Sequence, residues 1–476
     1  MSLSGALSNA VSGLFANAAA TTVVSSNVAN AMNETYARRA VSLSTNARQT
    51  SGGVVVAQVT RYSDPISAYQ TRLAIAEHSA ASSHAAFQTG LEQLVGSIDT
   101  IGSIVEKLTR FESELLSAAS DPSSQTRLKS VSSAAEALTL ALNKASQGLV
   151  DLRSEADAKI ASAVADINSG LAQLEDINTH IMSAKHSGQD VHGLLDQRDA
   201  TLQALSKFVP LHVVERGSGA IAVFTTQGRT LLDECAAKFG FTPTPVVLPH
   251  MSVGNGLVSQ LSVNDKTVEI PGTGMLKGGS LEALFEIRDL IAPNAHDHLD
   301  AIARDMIERF GAGGPDQTLG TGDLGVFTDD GVQLDPAAIT GLAGRIRLND
   351  LLSSPSPEIW RWRDGLNALQ QGDAGQSDLL LNLHSEISLA RIPSAPALGA
   401  NPRSLVGHLH SLSNDVASDR LRLVDAEESA ATRLDDLRQA SARNGVNTDQ
   451  ELQKLIELEK SYAANARVVQ VGVCPG

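Results

Sequence analysis

MSLSGALSNAVSGLFANAAATTVVSSNVANAMN, residues 1–33, carries no charged side chain. Its apolar and small residues nonetheless keep three-four spacing: Leu3, Leu7, Ala10 and Leu14, then Thr21, Val24, Val28 and Ala31. That spacing predicts one stripe of a helix, a coiled-coil seam. A helix exposed to water normally displays charge on its outer face. Here the outer face offers small neutral polar groups, suited to close packing against more protein. The reading is a helix that needs several partners, in an assembly subunit and not an enzyme. An ordinary surface helix of one globular domain is the alternative.

The other end of the chain supplies a matching helix. Asn447 caps it, with Gln450 three residues later in the manner of a capping box. Leu452, Leu455, Tyr462, Ala466, Val469 and Val473 continue a seam expected to face the N-terminal helix. The final VGVCPG contains Gly and Pro, which are poor helix interiors, so the helix is expected to stop near Gln470. In an antiparallel pair the missing turns would cover Leu3 and Leu7. Asn27 and Asn30 read as helix-ending hydrogen-bonding groups, with contacts to a next subunit as the alternative.

Inward from the ends the period changes. Val41 and Leu43, then Val54, Val56 and Gln58, alternate as strands do around a turn at Ser51-Gly52-Gly53. Helical spacing resumes near Ser67, with a second seam through Phe87, Leu91, Leu94, Ile98, Ile101, Val105, Leu108 and Leu115. Asp121 as cap and Pro122 at the first helical position are expected to start the next helix. That helix is long: Leu128, Val131, Ala135, Leu138, Leu142, Ala145, Leu149, Leu152 and Ala156 hold a stripe. A four-residue stutter through Ile160 and Val164 leads to Ile167, Leu171, Leu174 and Ile181. Long helices are stabilised mainly by packing an apolar face. The expected partners are the preceding helix and a late one running through Leu405, Leu409, Leu412, Val416, Leu423, Ala430, Leu434 and Leu437.

Mid-chain composition differs. Alternation at Val213, Ile221 and Val223, and strand-like runs within Phe239–Pro271, predict a β-rich insertion. Helices are expected again over Ser280–Leu290 and Asn294–Phe310. The fold class is therefore mainly α with inserted β (α+β), in four parts. Residues 1–33 and 446–476 form a terminal coiled-coil layer. Residues 34–205 with 277–310 and 403–445 form a helical rod domain, 206–276 a β-rich insertion, and 311–402 a mixed region.

The bulk numbers agree with a structural role. The 476 residues are 42% hydrophobic but only 3% aromatic, which favours Ala, Leu, Ile and Val cores over aromatic-lined ligand pockets. A net charge of −16 argues against nucleic acid or an anionic membrane as partner. Two cysteines, Cys235 and Cys474, give no disulfide framework. No apolar run is read as a membrane span, and with Glu34 and Arg38 as the first charges, a Sec signal peptide is not expected.

No catalytic, cofactor or metal site is expected. His296 and His298 are two apart, as are His408 and His410, so on a helix neither pair converges on one ion; a solvated helix face accounts for the run. Gly272-Thr273-Gly274 and Lys277-Gly278-Gly279 match neither phosphate-binding fingerprint and read as a flexible turn. No G-x-S-x-G elbow occurs. Trp360 and Trp362 read as packing anchors with arginines stacked on the rings, and Glu427, Glu428, Asp435 and Asp436 as the wet face of a helix.

Several stretches resemble a known family. Ser26-Asn27-Val28-Ala29-Asn30 followed by Thr35-Tyr36-Ala37-Arg38 resembles the N-terminal motif of flagellar axial proteins, with Thr35 where that motif usually has Gly. Gly53-Val54-Val55-Val56 through Arg61 and Asp64, Leu194-Leu195-Asp196-Gln197-Arg198-Asp199, and Gly278-Gly279-Ser280-Leu281-Glu282-Ala283-Leu284 running to Arg288-Asp289 and Pro293 are similar to the FlgK family of hook-associated proteins. So are Gly445-Val446-Asn447-Thr448-Asp449 and Tyr462-Ala463-Ala464-Asn465-Ala466-Arg467-Val468-Val469.

The resemblance implies a structural subunit of the bacterial flagellum joining hook to filament. It implies export by the flagellar type III apparatus, with an export chaperone, to an extracellular location. Its implied partners are further copies of itself, hook protein, and the second junction protein on the flagellin side. The ring of copies agrees with head-to-tail contacts that propagate by one rotation and rise. A sister axial protein is the runner-up; a soluble coiled-coil scaffold, or an axial protein with an added hydrolase domain, are the rivals from other classes.

Overall fold

The computed structural model describes residues 3–45, 52–97, 100–270, 274, 276–443 and 445–473. Helix α1 (Leu3–Ala29) leads into an antiparallel hairpin of β1 (Arg39–Thr45) and β2 (Val54–Arg61), with Arg39 opposite Arg61 and a bulge at Ser42/Leu43. Ser51 lies outside the described residues. Gly53 has φ +109, and a Cβ there would meet Ser12 Oγ at 2.9 Å. This close approach lets the same hydroxyl accept from the Val54 N–H, seating the hairpin on α1.

Helix α2 (Pro65–Val95) starts with Asp64 accepting from the Ile66 N–H and Pro65 at its first position. The second seam does not run through to Leu115. Positive φ at Gly96 and Gly102 breaks it, and Ser103 caps a new helix, α3 (Ile104–Ser120). Ile101 is 94% exposed in the break, and Ile98 lies outside the described residues. Neither does Asp121 begin the following helix. It closes α3, and Ser124 caps α4 (Gln125–His186).

Helix α4 is one continuous run of 62 residues, roughly 90 Å at ~1.5 Å per residue. Its expected stripe is buried from Leu128 to Ile181, apart from half-buried Leu152. The Leu194–Asp199 motif does not end this helix. It lies on a separate one, α5 (His192–Ser206).

The insertion holds two three-stranded antiparallel sheets. One is β3 (Leu211–Glu215), β4 (Ile221–Thr225) and β5 (Thr230–Leu232); the other is β6 (Phe239–Gly240), β7 (Leu261–Val263) and β8 (Lys266–Val268). Side-chain amides on α4 hold both. Asn178 donates to Ile221 O and accepts from its N–H, and Asn168 does the same for Phe239. Arg153 donates to the carbonyls of Leu248, Met251 and Arg288.

Helices α6 (Ser280–Glu286) and α7 (Ala292–Arg309) are joined without a break by a π-helical turn, Ile287–Ile291. The gap expected before Asn294 is absent because the wide turn accommodates Pro293, which has no N–H to donate. Gly278 and Gly279 are likewise not a slack turn: a Cβ on Gly279 would lie 2.3 Å from Phe208 O. Arg288 of the π turn pairs with Asp157 of α4 at 2.7 Å, both fully buried. The His296–Asp300 run is a solvated face only at Asp297 and His298. His296 and Asp300 are buried, and Asp300 accepts from the Gly341 and Ala343 N–H groups.

Strands β9 (Phe327–Asp329) and β10 (Ile346–Leu348) pair, and α8 (Arg361–Asp364) and α9 (Asp378–Ser388) follow. Trp362 packs its ring 6.1 Å from Phe111 and donates to Ser132 Oγ, while Arg361 stacks on Trp360. Helix α10 (Leu405–Arg443) packs on α2 and α3, not on α4 as the spacing suggested, because α3, α5 and α7 already cover α4. The last helix, α11 (Thr448–Val473), continues past Gln470.

Among the described residues, the main hydrophobic core runs from Phe87 to Val416 and includes nothing from α1, the hairpin or α11. A lesser cluster of Ala74, Ile75 and Leu434 joins α2 to α10. The observed class is mainly α, with small sheets inserted mid-chain.

Candidate assembly layer

The two chain-end helices form an antiparallel pair in constant register. Asn27 donates to Glu451, Asn17 to Ser461, and Gly13 lies against Asn465. Each step of ten or four on α1 is matched by an equal step on α11. A Cβ on Gly13 would sit 2.6 Å from Asn465 Nδ2, so glycine permits the close approach there.

The stripe on α11 that meets α1 contains Glu451, Lys454, Leu455, Leu458, Asn465, Ala466 and Val469, all buried or half-buried. Leu452 and Tyr462, expected in this seam, are 46% and 49% exposed and point elsewhere. A stripe drawn through apolar residues selects Leu452, whereas the buried position is its neighbour Glu451. On α1, Val24 and Asn27 are buried, while Leu7, Leu14 and Val28 are half-buried, as is Asn30 just past its end. The Leu3 side chain and Val473 side chain lie outside what is described.

Asn27 organises the end of the layer. It is fully buried, donates to Arg39 O at 2.8 Å and Glu451 Oε2 at 3.0 Å, and accepts from the Arg39 N–H and the Tyr36 hydroxyl. Asn30 donates back to Ser26 O, closing the last turn of α1. Burial pushes the Glu451 carboxyl up, but hydrogen bonds from Asn27, Lys454 and Arg38 overcome this and hold it below the ordinary carboxylate range.

A second polar cluster joins this layer to the rod domain. Asp196 of α5 accepts from Arg39 Nη2, Arg61 Nε and the Ala37 N–H, and Asp199 accepts from Arg61 Nη2 at 2.7 Å. His192 on the same helix lies 3.1 Å from Val59 O. Sequence reading missed this joint, although Asp196 and Asp199 stood in a quoted motif. Their acidic spacing of three on a helix, facing two arginines at paired hairpin ends, was the available signal.

The outer surface of the layer carries exposed apolar side chains, among charged residues on α11 such as Glu457, Glu459, Lys460 and Arg467 and among none on α1. Phe15 is 73% exposed, Met32 97%, Ile456 52% and Val471 77%. Contrary to the sequence reading, α1 is long and apolar enough to cross a membrane by length and composition, with a window of mean hydropathy 1.2. The lack of charge produces that value, while Asn17 and Asn27 give their amides to protein partners. No group of three or more His, Cys, Asp or Glu with metal-binding geometry occurs among the described residues.

The family model "Flagellar hook-associated protein FlgK helical domain" matches residues 89–317, from α2 to just past α7. The model "Flagellar basal body rod FlgEFG protein C-terminal" matches residues 438–472, the end of α10 with α11. Flagellar hook-associated protein 1 of Bacillus subtilis (strain 168) is 25% identical over 495 aligned positions, covering 96% of this chain and 94% of that protein. The protein of the same name from Salmonella typhimurium is 26% identical over 327 positions, covering 65% of this chain and 56% of its own length. The hook junction protein FlgK structure from Burkholderia pseudomallei aligns at TM-score 0.44 and 23% identity, over 55% of this chain and 46% of that one. The helical-domain match and the full-length similarity to hook-associated protein 1 support placing this chain in the FlgK family of flagellar hook-associated proteins.

Proposed function

We propose that the chain is a structural subunit of the bacterial flagellum at the junction of hook and filament, and that its α1–α11 layer is the surface through which copies assemble. The family supports the structural role and an association with other axial components. The observation that carries the assembly reading is the α1–α11 pair itself. Among the described residues it contributes nothing to the main core, holds no charge on α1, and leaves Phe15, Ile456 and Val471 in water, with Met32 exposed just past α1. Exposed apolar surface of this kind marks association sites. A pair of helices with so little to bury is stabilised by neighbours more than by itself.

In this reading the layer of residues 1–33 with 446–476 forms a ring of copies by repeated head-to-tail contact. Leu7, Leu14, Val24 and Val28, with Leu455, Ala466 and Val469, hold the pair. Leu452 and Tyr462, exposed in the single chain, are contacts to neighbours. The rod domain, the 206–276 insertion and the 311–402 region lie outside the layer. Hook protein on one side, and the second junction protein towards flagellin on the other, are the proposed neighbours. Delivery is proposed to use the flagellar type III apparatus with an export chaperone, and no enzymatic step is required.

Deletion of the gene in a motile host tests the role. The expected result is hooks without filaments and flagellin shed into the medium. Hooks that still carry filaments, with no flagellin leakage, would overturn it.

A further inference from the structure

Arg72 of α2 is only 8% exposed, yet its Nε is buried with no hydrogen-bond partner. Among the described residues no carboxylate lies within ion-pair distance of its guanidinium. The side chain lines a cavity between the Asn30–Arg38 connection, the start of α2 and the end of α10. Three other arginines line the same wall and each is committed: Arg38 to Glu451, Arg61 to Asp196 and Asp199, and Arg438 to Glu34 at 3.5 Å. The acids there are committed as well, Asp64 capping α2 and Asp199 holding Arg61.

The charge balance behind the cavity points the same way. Arg39, Arg61, Arg72 and Arg198 face Asp196, Asp199 and, at longer range, Glu215. Four guanidinium groups share three carboxylates, and neither Arg72 nor Arg198 is within ion-pair distance of one. Arg198 donates instead to Gly219 O at 3.1 Å, which leaves Arg72 as the one of the four without an acceptor among the described residues. A buried charge without a counter-ion is strongly unfavourable, and a guanidinium edge opening on a cavity is matched best by the two oxygens of a carboxylate.

We propose that this cavity is a carboxylate socket, in which Arg72 receives an acidic side chain from a second copy of the chain. Charge complementarity names the occupant. The chain has 53 acidic against 37 basic residues, and α10 displays Asp425, Glu428, Asp435 and Asp436 in water. The choice of a second copy rests on the assembly reading above; carboxylate recognition does not.

The test uses the purified full chain, unfolded thermally in sodium acetate and in sodium chloride at equal ionic strength. Acetate is expected to raise the Tm of the parent chain above its chloride value, because a ligand held only by the folded state stabilises it. Arg72→Gln is expected to lose that difference while being at least as stable as the parent in chloride. Arg72→Lys is expected to keep a reduced difference. An equal acetate response in the parent and Arg72→Gln, or a lower Tm for Arg72→Gln in chloride, overturns the socket. Polymerisation of the same proteins identifies the occupant. Loss of polymer for Arg72→Gln, with acetate inhibiting the parent, supports a second copy. Normal polymer for Arg72→Gln overturns the second copy and leaves a free oxyanion as the ligand. If the gene deletion spares filaments while the acetate response persists, the junction role fails and the socket stands.

Discussion

Asn27 and Glu451, 424 positions apart, meet at 3.0 Å in a buried hydrogen bond that ties the end of α1 to the start of α11. Asn27 is 0% exposed and Glu451 1%. The carboxylate also accepts from Arg38 at 2.8 Å and Lys454 at 3.0 Å. The register of the whole terminal layer starts from this contact.

Because the folded Glu451 carboxyl lies below its ordinary value of 4.5, its contribution is fully present above that value. It is lost as pH falls from there through the folded value. Amide hydrogen exchange in α11 should therefore accelerate beyond the intrinsic trend as pH falls below 4.5. Glu451→Gln should weaken the layer at neutral pH by about 1–3 kcal/mol, the usual cost of stranding partners of a buried charged hydrogen bond. Exchange that is indifferent to Glu451→Gln would contradict this.

Asp196 accepts from three groups of the 37–61 segment, and its side chain is only 12% exposed. Asp196→Ala should loosen the hairpin from α5 at a cost of about 2 kcal/mol or more, since it strands the largely buried Arg39 and leaves Arg61 only Asp199. Limited proteolysis should then cut between residues 30 and 64 faster, with the rod domain intact. An unchanged cleavage pattern would show that the joint lies elsewhere.

Phe111 is fully buried and makes edge or tilted contacts with Phe310, Phe327 and Trp362 at 5.9–6.1 Å. Phe111→Ala should lower rod-domain stability by about 3–5 kcal/mol. Denaturant unfolding followed by Trp fluorescence reads this directly, because Trp362 is in the cluster.

His296 is buried with neither ring nitrogen hydrogen-bonded. Burial, and then the Arg153 charge, push its pKa down to about 4 from the ordinary 6.5. The unfolded chain thus binds the proton first, so stability falls as pH drops from 6.5 towards 4. His296→Leu should flatten the pH dependence of Tm across that window. An equally steep profile in the variant would assign the acid sensitivity to other groups.

The sequence made the periodic parts legible. The α4 stripe is stated by its own spacing, since burial of one helix face follows from residues three and four apart. The end helices were legible for the same reason, and so was the strand alternation of the hairpin. What stayed hidden depends on where separate segments meet. The seam through Ile101 looked continuous because heptad spacing survived two glycines whose positive φ ends the helix. Glu451 was passed over for Leu452 because a carboxylate enters a seam only when Asn27, Arg38 and Lys454 surround it, and those lie in other segments or a turn away. The joint at Asp196 needs β1, β2 and α5 together. No single stretch states that contact.

The central claim is that the exposed apolar face of the terminal layer is the assembly surface, and Phe15 tests it most directly. It is 73% exposed in the single chain, so Phe15→Glu should leave monomer Tm and secretion unchanged while placing a charge in each contact between copies. The measurement is filament attachment by electron microscopy in a deletion strain complemented with Phe15→Glu. Bare hooks with secreted, folded subunit are the expected result. Filaments as numerous as with the parent gene would contradict the account.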